Sequence, residues 1–103
     1  MEENTIAELK AAHGDDLTLL AADDFEVVVK RPSRTQFARF RASILEPASR
    51  AQAGANLLRD VVVYPPWPEF MKIVERFPAL EDEFMGQVVE LTKTQERVSA
   101  KKL

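Results

Sequence analysis

The sequence predicts an α+β fold, mostly α, with an N-terminal β-hairpin packed on a small bundle of four to five short helices. Three observations lead there. Between residues 17 and 30 the apolar residues recur at a period near two, the signature of a half-buried strand, around an acidic turn. From Ser33 onward the period lengthens to three or four, that of an amphipathic helix. Pro32, Pro47, Pro65, Pro66, Pro68 and Pro78 then cut the helical stretch into short pieces, because proline lacks the N–H a helix interior needs. At 103 residues the chain reads as one domain. Its expected parts are an N-terminal helix at 1–14 that is free to fray, a hairpin at 15–31, a helical core at 33–92 and a polar tail at 93–103.

The first helix is expected over residues 3–13, with Ile6 and Leu9 three apart and Gly14 as C-cap. In the hairpin, Leu17, Leu19 and Ala21 alternate with Thr18 and Leu20, and Phe25, Val27 and Val29 alternate with Glu26, Val28 and Lys30. Asp23-Asp24 between them suits a turn, since Asp side chains accept from local backbone N–H groups. Ser33 with Gln36 three residues later makes a capping box. Phe37, Phe40 and Ile44 then fall within about 60° of arc and form the expected buried face. The next helix starts near Ser49 and buries Ala51, Ala55, Leu58 and Val62, broadened by Val61. Val61–Tyr64 continues its phase and is expected as its last turn, stopped by Pro65-Pro66. Phe70, Ile73, Val74 and Phe77 share a face of a two-turn helix opened by Trp67 or Pro68. A last helix from Ala79 past residue 91 carries Leu80, Phe84, Val88 and Leu91, widened by Met85 and Val89. Gly86 inside it implies either close packing or simple tolerance.

The absence of cysteine excludes disulfides and thiolate metal sites and fits a reducing compartment. No apolar run approaches the ~20 residues of a membrane helix, and the acidic start MEENTIAELK is unlike a signal peptide. The net charge of −3 is unevenly spread. Residues 1–29 hold eight acids and one lysine, whereas residues 30–59 hold seven bases and one acid. His13, the one histidine, reads as a surface residue at a helix end. Asp15-Asp16 and Asp23-Asp24 read as turn solvation, because adjacent side chains diverge rather than converge on a metal. No phosphate loop, nucleophile elbow or His/Cys cluster is present. The expectation is a non-catalytic protein with no cofactor and no metal.

Two features suit a partner. Lys30, Arg31, Arg34, Arg39 and Arg41 interleave with Phe37 and Phe40, a mixture that can serve single-stranded nucleic acid. On a helical wheel, however, the phenylalanines lie on the core side and Arg34 and Arg41 share a neighbouring face about 20° apart. A solvated face, an acidic protein surface and a nucleic acid remain three readings of this segment. The acidic surface includes the terminal segments of this chain in the same or another copy. Trp67, beside Tyr64, reads either as a helix corner covering the core or as an exposed interface anchor.

The segments VVVKRPSRTQFARFR and LLRDVVVYPPWPEFMKIVERFPALEDEFMGQVVEL together resemble the small tail assembly chaperones of long-tailed bacteriophages. The shared order is a strand ending in an Arg-Pro-Ser-Arg turn, an aromatic-bearing helix, a helix leading into VVYP, a short helix ending in an aromatic–proline pair, and a terminal apolar helix. The likeness spans about residues 25–92, and the extra PWP after VVYP departs from the pattern. The resemblance implies a non-catalytic chaperone in the host bacterial cytoplasm. It would bind the long, helical, apolar tape-measure protein and help recruit tail tube subunits. Such chaperones often exist also as a longer product made by frameshifting near the gene's end, for which AKKL is the candidate slip-site position. Arg31, Pro32, Arg34, Val63, Tyr64 and Pro65 are the positions carried over. The expected partner-binding residues are Arg31, Arg34, Arg41, Tyr64, Trp67, Phe84, Met85, Val88 and Val89, the last four on adjacent faces of a surplus apolar surface. A small phage-encoded regulator binding nucleic acid through the basic 30–41 segment is the alternative, and a self-assembling homo-oligomer a third.

Overall fold

The computed structural model describes residues 1–22, 24–93 and 98–103. Asp23 of the expected turn and residues 94–97 of the expected tail lie outside the described residues. The element order is α1 (Glu3–His13), β1 (Leu17–Ala22), β2 (Phe25–Lys30), α2 (Arg34–Leu45), α3 (Arg50–Val61), β3 (Val62–Tyr64), α4 (Trp67–Arg76) and α5 (Ala79–Glu90). This is the expected α+β class, with the hairpin packed on helices. The sheet is antiparallel in the order β1-β2-β3.

The third strand corrects the expected helical turn at Val61–Tyr64. Helix α3 stops at Val61, and the backbone turns extended at Val62. Val62 then lies opposite Val29 and Tyr64 opposite Val28, with a register shift that leaves Val63 unmatched. Helical phase alone would have carried the chain onward. Two effects oppose it: Pro65 disfavours a helical conformation at Tyr64, and the free edge of β2 offers partners for the backbone groups of Val62–Tyr64. Valine and tyrosine also suit a pleated, half-buried surface. Val27, Val28 and Val29 are all buried, as a central strand covered on both faces requires.

The pleat sorts the hairpin into two faces. Leu20 opposite Val27 and Thr18 opposite Val29 turn toward the helical core, which Leu20, Val27 and Val29 join. Leu17, Leu19 and Val28 turn the other way, toward Ile6 and Leu9 of α1, with which they line a small cavity of about 110 Å3. Helix α1 buries no residue fully, and its Gly14 C-cap stands at φ 90°, a left-handed φ that glycine adopts without a Cβ penalty. An ion pair from the Met1 amino group to Glu26, 3.2 Å long, adds to its attachment.

The core proper joins Phe40 of α2, Ala53, Leu57, Leu58 and Val61 of α3, Phe70 and Val74 of α4, and Phe84 and Val88 of α5. The capping box at α2 is formed as expected: Gln36 N–H donates to Ser33 Oγ at 3.1 Å, and Ser33 N–H donates to Gln36 Oε1 at 2.9 Å. Three expected buried faces are corrected in detail. Ile44 is exposed and Phe37 only half-buried, so α2 seats mainly through Phe40. In α3, Leu58 and Val61 are buried as expected, but Ala53 and Leu57 join them in place of Ala51 and Ala55, and Val62 is only half-buried. Phe77 is exposed at the end of α4. Ser49 is the N-cap of α3 as expected, but its hydroxyl makes no capping bond and donates instead to the Ser43 carbonyl at 3.0 Å, bracing the α2–α3 connection.

The two helical glycines differ. A Cβ at Gly54 would fall 2.5 Å from the Met85 sulfur, so α3 and α5 approach closely there. A Cβ at Gly86 would meet nothing within 4 Å, which decides for tolerance over close packing. Gly86→Ala should therefore raise the urea unfolding free energy by about 0.5–1 kcal/mol, through helix propensity and a less flexible unfolded chain.

Candidate functional site

The expected partner residues divide into those the fold uses internally and those it leaves at the surface. Arg31, at the end of β2, donates from Nε to the Asp16 carboxylate at 2.9 Å and from Nη1 to the Leu91 carbonyl. It therefore clasps the start of β1 and the C-terminal end of α5 to the same strand end. The hydrogen bond to Asp16, and then its charge, raise the Arg31 pKa above its ordinary value. Pro32 beside it is buried. Thus the Arg-Pro part of the motif has structural work within the chain.

The other arginines are dispersed. Arg39 pairs with Asp60 of α3 at 3.6 Å. The Arg41 guanidinium lies 5.4 Å from the centre of the Phe37 ring, which stacks in turn on Phe40 at 6.0 Å. Arg34 is exposed in the first turn of α2 and has no ion-pair partner among the described residues. A charge held by a neighbouring carboxylate is less available to a phosphate, and the two phenylalanines of α2 lie on its core side.

Trp67 is half-buried, stacks on Phe70 at 5.1 Å and 27°, and carries the Arg59 guanidinium 5.5 Å from its ring centre. Its ring packs against the core, the corner arrangement of the two readings. Tyr64 is half-buried in β3, and Pro65 after it is buried and joined by a cis peptide bond. Val63 is half-buried at the register shift.

The surplus apolar face expected on α5 is corrected. Phe84 and Val88 are 4% and 0% exposed and belong to the core. Met85 packs on Gly54, and Val89 is half-buried against the same cluster. Helices α3 and α4 pack against that face of α5.

Exposed apolar surface lies elsewhere, where the sequence reading had assigned core. Phe77 is 40% exposed, with its ring 5.6 Å from Phe25 at the start of β2 and the Arg76 guanidinium 5.1 Å from its centre. Ala22, Phe25, Phe77, Pro78 and Leu80 line a groove of about 410 Å3 here, apolar apart from Arg76 at its rim. The phenylalanine–proline pair was visible in the sequence. Its meeting with the hairpin turn was not, because the two segments are distant along the chain.

A second, larger depression of about 580 Å3 is lined by Glu2, Asp24, Glu26, Glu69 and Tyr64 among others. Its carboxylates do not converge: no group of three His, Cys, Asp or Glu is placed to hold a metal ion among the described residues. No helix among the described residues is long and apolar enough to cross a membrane.

No family model matches the chain, and no curated protein does either. A solved structure shares its fold. This is the uncharacterised protein rbstp2171 from Bacillus stearothermophilus, 21% identical, with a TM-score of 0.76 over 93% of this chain and 99% of that one. At that identity the likeness extends to the fold alone.

Proposed function

We propose that this chain is a non-catalytic tail assembly chaperone of a long-tailed phage, which binds the tape-measure protein and helps bring tail tube subunits to it. The observation that carries the proposal is how the segments behind the resemblance come together. VVVKRP and VVVYP, separated along the sequence, form neighbouring antiparallel strands through Val28–Tyr64 and Val29–Val62. Arg31 ties that sheet to the end of α5. The shared order of parts thus corresponds to one folded unit rather than to scattered short matches.

The groove at Phe77 supplies a physical basis. A helical apolar client would lay its nonpolar face against Phe25, Phe77 and Leu80, the helix-in-groove mode of recognition. A single groove of this size supports only modest affinity, but many copies along one extended client add avidity. The acidic depression and the dispersed arginines are solvated surface in this account, which speaks against the regulator reading. The test is co-expression with the tape-measure protein of the same phage. The chaperone should move the client into the soluble fraction and co-purify with it. Unchanged client solubility and no co-purification would refute the proposal.

A further inference from the structure

Strand β1 is at the edge of the sheet, and among the described residues no strand pairs with its outer side. Its six residues, Leu17–Ala22, carry no charge and no proline, and they pair with β2 in unbroken register. Soluble proteins blunt such edges with lysine, proline or a bulge, and β1 contains none of these. The irregularity in this sheet is at the opposite edge, in β3. Nor does α5 close over β1. Leu19–Ala22 on one side and Glu83, Phe84 and Gln87 on the other line an open groove of about 420 Å3. Every second residue of an edge strand directs its N–H and C=O outward, away from the paired strand.

The charges around the edge select its occupant. Asp15 and Asp16 precede β1, Asp24, which also lines the acidic depression, follows the turn after it, and Glu83 stands on the facing wall. Of these, Asp16 is held by Arg31, while Asp15, Asp24 and Glu83 are exposed and have no ion-pair partner among the described residues. A second copy of the chain fits badly. Antiparallel self-pairing about a two-fold axis near Leu19–Leu20 sets the acids before one β1 beside the acids after the other. Parallel self-pairing stacks like acids on each other. Like charges directly opposite across a sheet are destabilising.

We propose that the outer edge of β1 is a docking site for an extended segment of another protein, apolar or uncharged in its middle and flanked by lysine or arginine, which adds to the sheet as a fourth strand. Main-chain hydrogen bonds to β1 supply the affinity, and the acids at both ends supply register and selectivity. This site borders the groove at Phe77, with which it shares Ala22, and does not depend on the identity of the client there.

The test uses the isotopically labelled full chain at low ionic strength, where charge selectivity is least screened, and three synthetic peptides: KKTVTVTKK, EETVTVTEE and KKTVPVTKK. Titration with the first should shift the amide resonances of Leu17–Ala22 and of Glu83–Gln87. It should bind at least about tenfold more tightly than the acidic peptide, as several weak ion pairs together imply. The proline peptide, which lacks a central N–H, should bind several-fold more weakly than its parent. Asp15→Asn combined with Asp24→Asn should weaken KKTVTVTKK about fivefold and narrow its advantage over EETVTVTEE. Equal binding of the basic and acidic peptides would overturn the proposal, as would equal binding of the proline peptide or shifts confined to other elements. So would self-association of the free chain through residues 17–22 at neutral pH.

Discussion

Replacement of Phe70 by alanine is expected to remove about 3–5 kcal/mol of stability, as for other fully buried aromatic side chains. Phe70 is 1% exposed and sits at the centre of an aromatic chain. Its ring stacks on Trp67 at 5.1 Å and tilts against Phe84 at 5.8 Å, so it joins the α4 corner to α5. Truncation leaves a cavity walled by those two rings. A domain of this size has only about 5–15 kcal/mol in total, so Phe70→Ala should unfold at much lower urea with an unchanged m-value. A cost below ~1 kcal/mol, outside the range for buried aromatics, would mean that the core is not organised around this residue.

The second large effect concerns the client of the proposed function. Phe77→Asp should reduce tape-measure co-purification at least about tenfold, the consequence of losing roughly 1.4 kcal/mol or more at each contact, while the chain remains folded. Aspartate there places a charge against the apolar face of a docking helix, which is costly to desolvate. The fold should survive, because Phe77 is already 40% exposed and its aromatic pair with Phe25 is worth only about 0.5–1.5 kcal/mol. Leu45→Asp is the matched control. Leu45 is 77% exposed at the end of α2, outside the groove, so its replacement should leave client retention intact. If both variants retained the client, the Phe77 groove would not be its seat.

Local chemistry made much of this fold legible. Ser33 and Gln36 are three residues apart, and their reciprocal bonds need nothing beyond that turn. The hairpin was legible in the same way, from alternation around an acidic turn. What failed depended on distant partners. Val62–Tyr64 had helical phase, and only the free edge of β2 made it a strand. Three consecutive valines at 27–29 were the available signal: a strand buried on both faces and in mid-sheet needs a neighbour on each side. In α3, Ala51–Ala55 and Ala53–Leu57 have the same spacing, so spacing alone could not choose between them, and it is Ala53 and Leu57 that join Leu58 and Val61 in the core.

The candidate surface was less legible still. Apolar residues at helical spacing do not reveal which of them the chain will bury itself. Phe84 and Val88 were consumed by the core, whereas Phe77, placed on the same expected face as Phe70 and Val74, was left out. The helix ends at Arg76, and its capping residue turns away. Arg31 was singled out in the basic segment and again through the resemblance, and the structure gives it a structural reason: one guanidinium reaches both Asp16 and the Leu91 carbonyl.

The most direct measurement of the central claim is amide hydrogen exchange of the free chain against its complex with the tape-measure protein. The account predicts slowed exchange at Phe25–Glu26 and across Arg76–Leu80, with the arginine-bearing face of α2 unchanged. Protection confined to α2, or no protected segment in a mixture where both proteins are soluble, would contradict it.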